Sequence, residues 1–167
     1  PRLKQRTRQE ELYSYPYHYL PELAEGTFRQ HRYWSWGFRY LGRLEVTFDL
    51  LGQLSYDSLV DLGCGDGRFL REVAARTDCH RLVGVDCSQR AVLLAGALNP
   101  QIEFLQGDLL SYEPSESFDV GCLLEVTEHI PTGQLAKFFA KVSRWLRPGG
   151  QLVLTAPHRN VPVIDKH

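Results

Sequence analysis

From residue 58 onward, short apolar runs alternate with segments whose apolar residues recur at helical spacing. The apolar runs are typical of buried strands, and turn residues follow them. We predict strands at residues 59–62, 81–85, 102–105, 118–124 and 151–155. Helices are predicted between them at residues 68–76, 88–97 and 132–146. Strands that alternate with helices imply a parallel sheet with right-handed crossovers, and therefore an α/β fold.

The first 54 residues follow a different pattern, because they contain eleven of the nineteen aromatic residues. Tyrosines at positions 13, 15, 17 and 19 alternate with other residues, which favours an extended segment up to Pro21. Apolar residues at 41, 44, 48 and 51 predict a helix over residues 36–54 that lies on the main domain. We therefore divide the chain into an aromatic-rich segment, 1–54, which serves as a substrate lid or a packing element, and a core, 55–167.

Composition narrows the class of protein. With 43% apolar and 23% charged residues, the 167-residue chain suits a globular domain. Its 19 basic and 20 acidic residues give no general reason to expect a nucleic-acid partner. We see no signal peptide and no membrane span, and none of the four cysteines forms a C-x-x-C pair, so we expect reduced thiols and a cytoplasmic location.

A glycine-rich turn at residues 60–69, Val-Asp-Leu-Gly-Cys-Gly-Asp-Gly-Arg-Phe, follows the first core strand. Glycines allow a sharp turn and let a ligand approach main-chain N–H groups at a helix start. The spacing is G-x-G-x-G, not the G-x-G-x-x-G of dinucleotide-binding proteins. Asp61 stands two residues before the first glycine. This pattern disfavours NAD and favours another adenosine-containing ligand.

Acidic residues also end the next two strands. Asp86 follows the strand at 81–85, about 20 residues beyond the glycine turn, where a carboxylate can accept hydrogen bonds from both ribose hydroxyls. Asp108 follows the third strand and can accept from an adenine amino group, while Leu109 covers the ring. The bland alternatives are a helix-start acid ahead of Ser88 and an ordinary turn at Gly107-Asp108. The sites all fall at strand carboxyl ends, where open α/β sheets bind ligands.

These motifs, in their order and spacing, resemble those of class I, Rossmann-like S-adenosylmethionine-dependent methyltransferases, over about residues 57–158. The resemblance rests on five segments: Asp61-x-Gly-x-Gly-x-Gly67, Val85-Asp86, Gly107-Asp108, Phe118-Asp-Val120 and Leu146-Arg-Pro-Gly-Gly150. As a set they are specific, although no single one is. The resemblance implies a doubly wound, mostly parallel sheet and S-adenosylmethionine as cofactor, with S-adenosylhomocysteine as product.

Site residues follow from the same resemblance. It implies that the three glycines shape the methionine pocket, that Asp61 helps hold the amino-acid end, and that Asp86 holds the ribose. Asp108 and Leu109 are expected to meet the adenine, whereas Asp119 and the Pro-Gly-Gly turn are expected to be structural. The full set of expected cofactor-binding residues is Asp61, Gly63, Cys64, Gly65, Gly67, Asp86, Cys87, Asp108, Leu109 and Leu124.

The loop after the fourth core strand carries the expected catalytic residues. Glu125, Glu128 and His129 stand at i, i+3 and i+4, on one face of a helical turn. A hydroxyl acceptor must lose its proton during methyl transfer, and a histidine suits that task near neutral pH, so His129 is the expected base. The alternative without chemistry is a helix-capping pair, Glu128-His129, ahead of Pro131.

A divalent metal is a second interpretation of the same loop, because two carboxylates and an imidazole can ligate one. The E-x-x-E-H pattern resembles ubiquinone-pathway O-methyltransferases and small-RNA 3′-terminal methyltransferases. In the latter the metal also takes a later histidine, which His158 or His167 would have to supply. Our primary expectation is that no metal is bound.

In the N-terminal segment, residues 29–40 interleave aromatic residues with arginines, which can stack on and clamp a substrate. Tyr33 and Trp36 are the expected substrate contacts. The alternative is a helix packed on the sheet, with its arginines extended toward solvent.

The usual family sheet has seven strands, whereas this chain provides five and contains no methionine. We expect a truncated sheet that lacks the last two strands, with a missing segment or a partner chain completing it. The leading function is O-methylation of a small-molecule or glycan hydroxyl. The alternatives are a metal-dependent RNA 3′-terminal ribose 2′-O-methyltransferase and a non-catalytic assembly domain.

Overall fold

The computed structural model describes residues 7, 10–19, 22–24, 27–29 and 34–157. Its strands are β1 (Glu22–Ala24), β2 (Thr27–Arg29), β3 (Ser58–Leu62), β4 (Arg81–Asp86), β5 (Glu103–Gln106), β6 (Phe118–Leu124) and β7 (Leu146–Thr155). Its helices are α1 (Trp34–Leu51), α2 (Arg68–Arg76), α3 (Gln89–Leu98) and α4 (Leu135–Val142). Short 3₁₀ turns cover Tyr17–Tyr19, Thr127–His129, Thr132–Gln134 and Ser143–Trp145.

Five of the strands form one sheet in the order β5-β4-β3-β6-β7, and every neighbouring pair in it is parallel. β1 and β2 form a separate antiparallel pair. The chain starts this sheet at its centre with β3, builds outward to β5, and then returns to the other side with β6. The carboxyl ends of β3 and β6 thus flank a topological switch point, where open α/β sheets bind ligands. The predicted Rossmann-like parallel sheet is confirmed.

The sheet is buried on both faces, as a parallel sheet requires. Leu59 belongs to one apolar cluster and its neighbour Val60 to the other, because successive side chains of a strand point to opposite faces. The first cluster contains Leu44 and Leu51 of α1, and the second contains Phe138 of α4. Each fully buried side chain of this size contributes about 1.5–3 kcal/mol, so helix packing on both faces holds the strand ends in place.

Some of the predicted elements need correction. The segment from Tyr13 to Tyr19 is not extended: Tyr13 lies in a turn and Tyr17–Tyr19 form a 3₁₀ turn, because the chain folds back so that the buried Tyr13 ring packs against the Tyr17 ring. The helix predicted over 132–146 is divided into two 3₁₀ turns around α4. The helix predicted over 36–54 runs from 34 to 51.

The Pro148-Gly149-Gly150 stretch lies within β7, which begins at Leu146 instead of at the predicted residue 151. A register irregularity between Phe118 and Val120 of β6 accompanies it. A Cβ added at Gly150 would lie 2.9 Å from the Arg147 carbonyl oxygen and 3.0 Å from that of Phe118. Glycine is therefore required where the two backbones approach, which supports the expected structural role of this stretch.

All four cysteines are free thiols, as the sequence predicts. Within the residues described, no helix has both the length and the apolar character that crossing a membrane requires.

Candidate functional site

A tight loop of residues 63–67 connects β3 to α2. Its three glycines adopt left-handed backbone angles, with φ of +100° at Gly63, +54° at Gly65 and +78° at Gly67. Side chains other than hydrogen rarely tolerate these values, so the sequence spacing follows from the loop's geometry. The N–H groups of Gly63 and Cys64 both donate to the carbonyl oxygen of Val85, at 2.7 and 3.1 Å. The loop is thereby tied to the neighbouring strand β4.

Asp86 lies at the carboxyl end of β4 and is only 3% exposed. Its Oδ2 accepts a hydrogen bond from the Gly65 N–H at 2.9 Å, and its Oδ1 accepts one from the Ser88 N–H at 2.8 Å. Burial raises the pKa of this carboxyl, while the two N–H donors oppose the rise. A carboxylate only accepts hydrogen bonds, so Asp86 is suited to bind donor groups at the edge of the loop.

The loop after β5 adjoins the same position. The N–H of Gly107 donates to the Asp86 carbonyl oxygen at 2.9 Å, which places Asp108 beside the end of β4. The Asp108 Oδ1 accepts from the Leu110 N–H at 3.0 Å. Leu109 is half-buried against the second apolar cluster. The structure thus brings the predicted ribose and adenine residues to one edge of the sheet.

Asp61, in β3, is a buried acid, only 2% exposed. Among the described residues, its Oδ1 has no hydrogen-bond partner. Burial, and secondarily the charge of Asp86, raises the pKa of Asp61 to about 8. Leaving such a group unsatisfied is costly, because burial disfavours the charged form. A cationic ligand group beside Asp61 would remove that cost.

The N-terminal segment lies over the glycine loop, which the sequence did not predict. Tyr13 is buried, and a Cβ added at Gly65 would come within 2.4 Å of its hydroxyl oxygen. His18 binds the buried Asp66 twice: its backbone N–H donates to Oδ2 at 3.1 Å, and its Nδ1 lies 3.0 Å from Oδ1. The ring of His18 lies 5.1 Å from that of Tyr40 in α1. These contacts connect the segment to both the loop and α1.

Further contacts hold the segment on α3. The carboxylate of Glu10 accepts from the Gln89 N–H at 2.8 Å and from the Arg90 N–H at 3.3 Å. These N–H groups belong to the first turn of α3, which has no carbonyl partners of its own for them. The hydroxyl of Tyr19 accepts from Asn99 Nδ2 at 2.8 Å, beyond the other end of that helix. The segment 10–19 thus spans the edge of the sheet where the predicted cofactor residues meet.

Glu125 follows β6 directly and has an unusual backbone, with φ of +59°. A non-glycine residue in this region carries about 1–3 kcal/mol of strain, and such strain concentrates at functional sites. Its backbone N–H donates to the Thr155 carbonyl oxygen at 3.1 Å, and its Oε2 accepts from Arg43 of α1 at 3.0 Å. The next residue, Val126, touches the glycine loop, since a Cβ added at Gly63 would meet its Cγ2 at 2.4 Å.

Glu128 and His129 are exposed members of the 3₁₀ turn Thr127–His129. Partial burial of its carboxyl raises the pKa of Glu128, and the neighbouring His129 opposes that rise. In the part of the chain that the structure describes, no group of three or more His, Cys, Asp or Glu side chains is placed to hold a metal ion. Glu125, Glu128 and His129 share one loop without forming such a group, and His158 and His167 lie outside the described residues.

Of the remaining predicted site residues, the structure describes the side chains of the three cofactor candidates but not those of the two substrate candidates. Cys64 is buried in the glycine loop, and burial raises the pKa of its thiol. Cys87 and Leu124 are half-buried at the ends of β4 and β6. Tyr33 lies outside the described residues. Trp36 belongs to α1, but its side chain is not among those described, so both substrate contacts stay predictions.

Sequence reasoning missed five residues of this region: Tyr13, His18, Arg43, Asp66 and Thr155. Asp66 carried a signal, since it is a second acid inside the glycine motif. Tyr13 and His18 belong to an aromatic run that was recognised, but its alternation suggested the wrong backbone. Arg43 and Thr155 carried none, because their roles depend on the distance between α1, β7 and the loop after β6.

A family model described as a methyltransferase domain matches residues 59–150, more than half of the 167-residue chain. Among curated proteins, the trans-aconitate 2-methyltransferase of Azoarcus sp. (strain BH72) is 33% identical over 118 residues, which cover 69% of this chain and 46% of that protein. The sterol 24-C-methyltransferase ERG6A of Gibberella zeae is 35% identical over 99 residues, covering 55% of this chain and 25% of that protein.

Among solved structures, that of the N-methyltransferase NodS from Bradyrhizobium japonicum WM9, in complex with S-adenosyl-L-homocysteine, superimposes with a TM-score of 0.62 at 25% identity. The match covers 69% of this chain and 60% of that chain. The chain spans about half the length of the trans-aconitate relative and a quarter of the sterol relative.

Proposed function

Since the chain belongs to the methyltransferase domain family, we propose that it forms the cofactor-binding core of an enzyme that transfers a methyl group from S-adenosylmethionine to a hydroxyl of a small molecule or glycan. The relatives described above are named as methyltransferases, and the NodS structure holds the demethylated cofactor. The cofactor, the reaction and the acceptor of this chain are therefore proposed together.

One observation carries the cofactor assignment: two buried acids, Asp61 and Asp86, flank a left-handed glycine loop at the switch point of the sheet. The unpartnered Oδ1 of Asp61 suits the ammonium group of the cofactor's methionine part. The carboxylate of Asp86 suits the ribose hydroxyls as a hydrogen-bond acceptor, and Asp108 with Leu109 adjoins it for the adenine. Cys64, Cys87 and Leu124 border these positions along the same edge.

When bound, S-adenosylmethionine supplies a methyl group on a sulfonium, and the acceptor's lone pair forms the new bond as the carbon–sulfur bond breaks with its electrons left on sulfur. The donor is thus activated already, and the protein has to align the acceptor and limit access of water. We assign removal of the hydroxyl proton to His129, which is solvent-accessible and can pass that proton to water.

The choice of acceptor rests on the residues of the loop after β6. The names of the relatives cover an organic acid, a sterol carbon and a nitrogen, so they do not agree on an acceptor atom. A carboxylate and an imidazole beside the site, Glu125 and His129, suit an acceptor that carries a proton, and a hydroxyl requires such help more than a carboxylate does.

Calorimetric titration of the chain with S-adenosylhomocysteine tests the proposal. We expect saturable binding with one site, and no binding of NAD⁺ at the same concentrations, because the glycine spacing does not suit a pyrophosphate. A second assay incubates the chain with S-adenosylmethionine and a panel of phenols and sugars, with release of S-adenosylhomocysteine as the readout. A folded chain that ignores S-adenosylhomocysteine would contradict the proposal and favour an assembly domain.

A further inference from the structure

Arg43 of α1 holds one oxygen of Glu125 and leaves the other oxygen available. The Arg43 guanidinium donates to Oε2 at 3.0 Å. Oε1 is buried and has no hydrogen-bond partner among the described residues. The backbone of Glu125 is itself held in a left-handed conformation between β6 and the 3₁₀ turn. Glu125 is therefore held at its carboxylate by Arg43 and at its backbone by the left-handed conformation, while Oε1 lacks a hydrogen-bond partner among the described residues.

A second unsatisfied polar atom lies at the end of the adjacent strand. Thr155 ends β7, where it pairs in register with Leu124 of β6, and its carbonyl oxygen accepts from the Glu125 N–H. Its Oγ1 is buried and, within the described residues, also lacks a hydrogen-bond partner. Buried polar atoms in native proteins are nearly always hydrogen-bonded. Glu125 and Thr155 each carry one such atom and are joined by a backbone hydrogen bond. Together they point to a ligand that supplies the missing hydrogen-bond partners.

We propose that Glu125 and Thr155 form the recognition site for the acceptor's reactive group, and that Arg43 is the positioning residue for Glu125. This inference rests on the proposed function, since it places the acceptor beside the glycine loop. Val126, the residue after Glu125, contacts Gly63, so Glu125 adjoins the loop that receives the cofactor, and Thr155 is hydrogen-bonded to the Glu125 N–H. Both Arg43 and Thr155 lie outside the matched methyltransferase region, residues 59–150.

The chemistry of these atoms selects the acceptor class. A carboxylate oxygen only accepts hydrogen bonds, so its partner must be a donor, which means a hydroxyl or an amine. A carboxylate acceptor would face the Glu125 charge and receive no donor from Oε1. The site therefore selects a protonated acceptor atom and disfavours an organic acid, even though a relative of this chain is named for trans-aconitate.

Phenol and benzoate form a matched pair of probes, since they share a ring and differ in the group presented. Each is titrated into isotopically labelled chain saturated with S-adenosylhomocysteine, while the amide signals of Glu125 and Thr155 are followed by NMR. We expect phenol to shift both signals and to bind at least about tenfold more tightly than benzoate. Glu125→Gln keeps the shape and removes the charge, so it should reduce that preference. Equal or tighter binding of benzoate, or no shift at these residues, overturns the proposal.

Arg43 is tested by its neutral and its conservative variants. Arg43→Gln releases the Glu125 carboxylate and should weaken phenol binding at least about threefold, whereas Arg43→Lys should restore most of it. Arg76→Gln is the matched control, because Arg76 makes a comparable salt bridge to Glu45 of α1, at 2.8 Å, without reaching the loop after β6. Equal effects of the two glutamine variants, or no effect of Arg43→Gln, overturn the positioning role.

The affinity for S-adenosylhomocysteine, measured by calorimetry on the same samples, separates acceptor recognition from cofactor binding. A chain that binds S-adenosylhomocysteine but shows no phenol preference loses the acceptor inference and keeps the proposed function. A chain that fails to bind S-adenosylhomocysteine loses both. We expect Arg43→Gln to retain cofactor affinity, since the contact of the Arg43 guanidinium with this site, within the described residues, is the one to Glu125.

Discussion

The hydroxyl oxygen of Tyr13 lies so close to Gly65 that a Cβ atom at Gly65 would come within 2.4 Å of it. The same Cβ would meet Tyr13 Cζ at 3.3 Å and His18 Cε1 at 3.2 Å, distances that small shifts can accommodate. The hydroxyl group therefore accounts for most of the steric conflict. The Tyr13 hydroxyl of the N-terminal segment thus packs against the glycine loop at a position where a Cβ atom does not fit.

This contact predicts a specific coupling between the two positions. Gly65→Ala should lower the free energy of unfolding by at least about 1 kcal/mol, because φ at Gly65 is positive and the new methyl group meets the tyrosine hydroxyl. Tyr13→Phe in the same chain removes the hydroxyl and should recover part of the loss. Urea unfolding of the two single variants and the double variant gives the coupling energy, which we expect to exceed about 0.5 kcal/mol. Strictly additive effects would show that the segment does not rest on the loop.

The Asp86 carboxylate should be needed for cofactor affinity. Asp86→Asn keeps one oxygen acceptor, turns an amide NH2 toward one of the two backbone N–H groups of Gly65 and Ser88, and loses the charge that strengthens hydrogen bonds from ribose hydroxyls. We expect a loss of roughly 1.5–3 kcal/mol in the free energy of binding S-adenosylhomocysteine, measured by calorimetry. Unchanged affinity would contradict the ribose assignment.

Asp119→Asn is the matched control for that variant. The Asp119 Oδ2 accepts from the backbone N–H and the hydroxyl of Ser58 at 2.9 and 2.7 Å, at the amino end of β3 and far along the strand from the loop. This exchange should lower stability without lowering cofactor affinity. Similar losses of affinity in both variants would mean that general destabilisation, and not the ribose contact, explains the result.

The pKa of Asp61 gives the stability of the ligand-free chain a defined pH dependence. Burial raises this pKa to about 8, whereas an unfolded aspartate titrates near 3.9, roughly the reference value. Between these pH values the folded chain binds the extra proton. The contribution of Asp61 to the free energy of unfolding is therefore largest below about pH 4, and it declines as the pH rises to about 8. Urea unfolding between pH 5 and pH 9 should show this decline in the wild type and a flatter profile in Asp61→Asn.

Cofactor binding should reverse the protonation of Asp61. An ammonium group placed beside this carboxyl favours its charged form, so binding of S-adenosylhomocysteine at pH 7 should release about one proton. Calorimetry in phosphate and in Tris, whose ionisation enthalpies differ widely, measures that number. The Asp61→Asn chain provides the control and should release none. Binding enthalpies that do not depend on the buffer would place the ammonium group elsewhere.

The His129 side chain is expected to act on the acceptor and not on the cofactor. His129→Ala should slow methyl transfer to a hydroxyl acceptor by about 10²–10⁴-fold, the usual contribution of a general base, and leave S-adenosylhomocysteine affinity unchanged. His80→Ala is the control, because His80 is also exposed but precedes β4 at the opposite edge of the sheet. Wild-type turnover in the His129 variant would assign proton removal to another group.

The core of the fold was predictable because its signals are local. Strands and helices in residues 58–157 follow from the apolar periodicity, and Asp61 and Asp86 from their distance to the glycine turn. The helix predicted up to Leu146 illustrates the limit. Its backbone tightens into a 3₁₀ turn at Ser143–Trp145 because Trp145 is buried against Phe118, a contact 27 residues distant that no local pattern reveals.

The N-terminal part of the site depended on contacts between remote residues. Alternating tyrosines favour a strand when only neighbours are considered, yet His18 is fixed by Asp66, which lies 48 residues further along the chain. Arg43 and Glu125 are separated by 82 residues. Pairings of this kind are set by how α1 packs on the sheet, so sequence spacing alone could not reveal them.

The shared acceptor at Val85 has a consequence for binding strength. The N–H groups of Gly63 and Cys64 both donate to that carbonyl oxygen. These hydrogen bonds to β4 fix the loop conformation in the ligand-free chain. The loop therefore loses its conformational entropy when the chain folds, and ligand binding does not incur that cost again. Substitutions that loosen the register between β3 and β4 should therefore weaken ligand affinity even when they touch no ligand-binding residue.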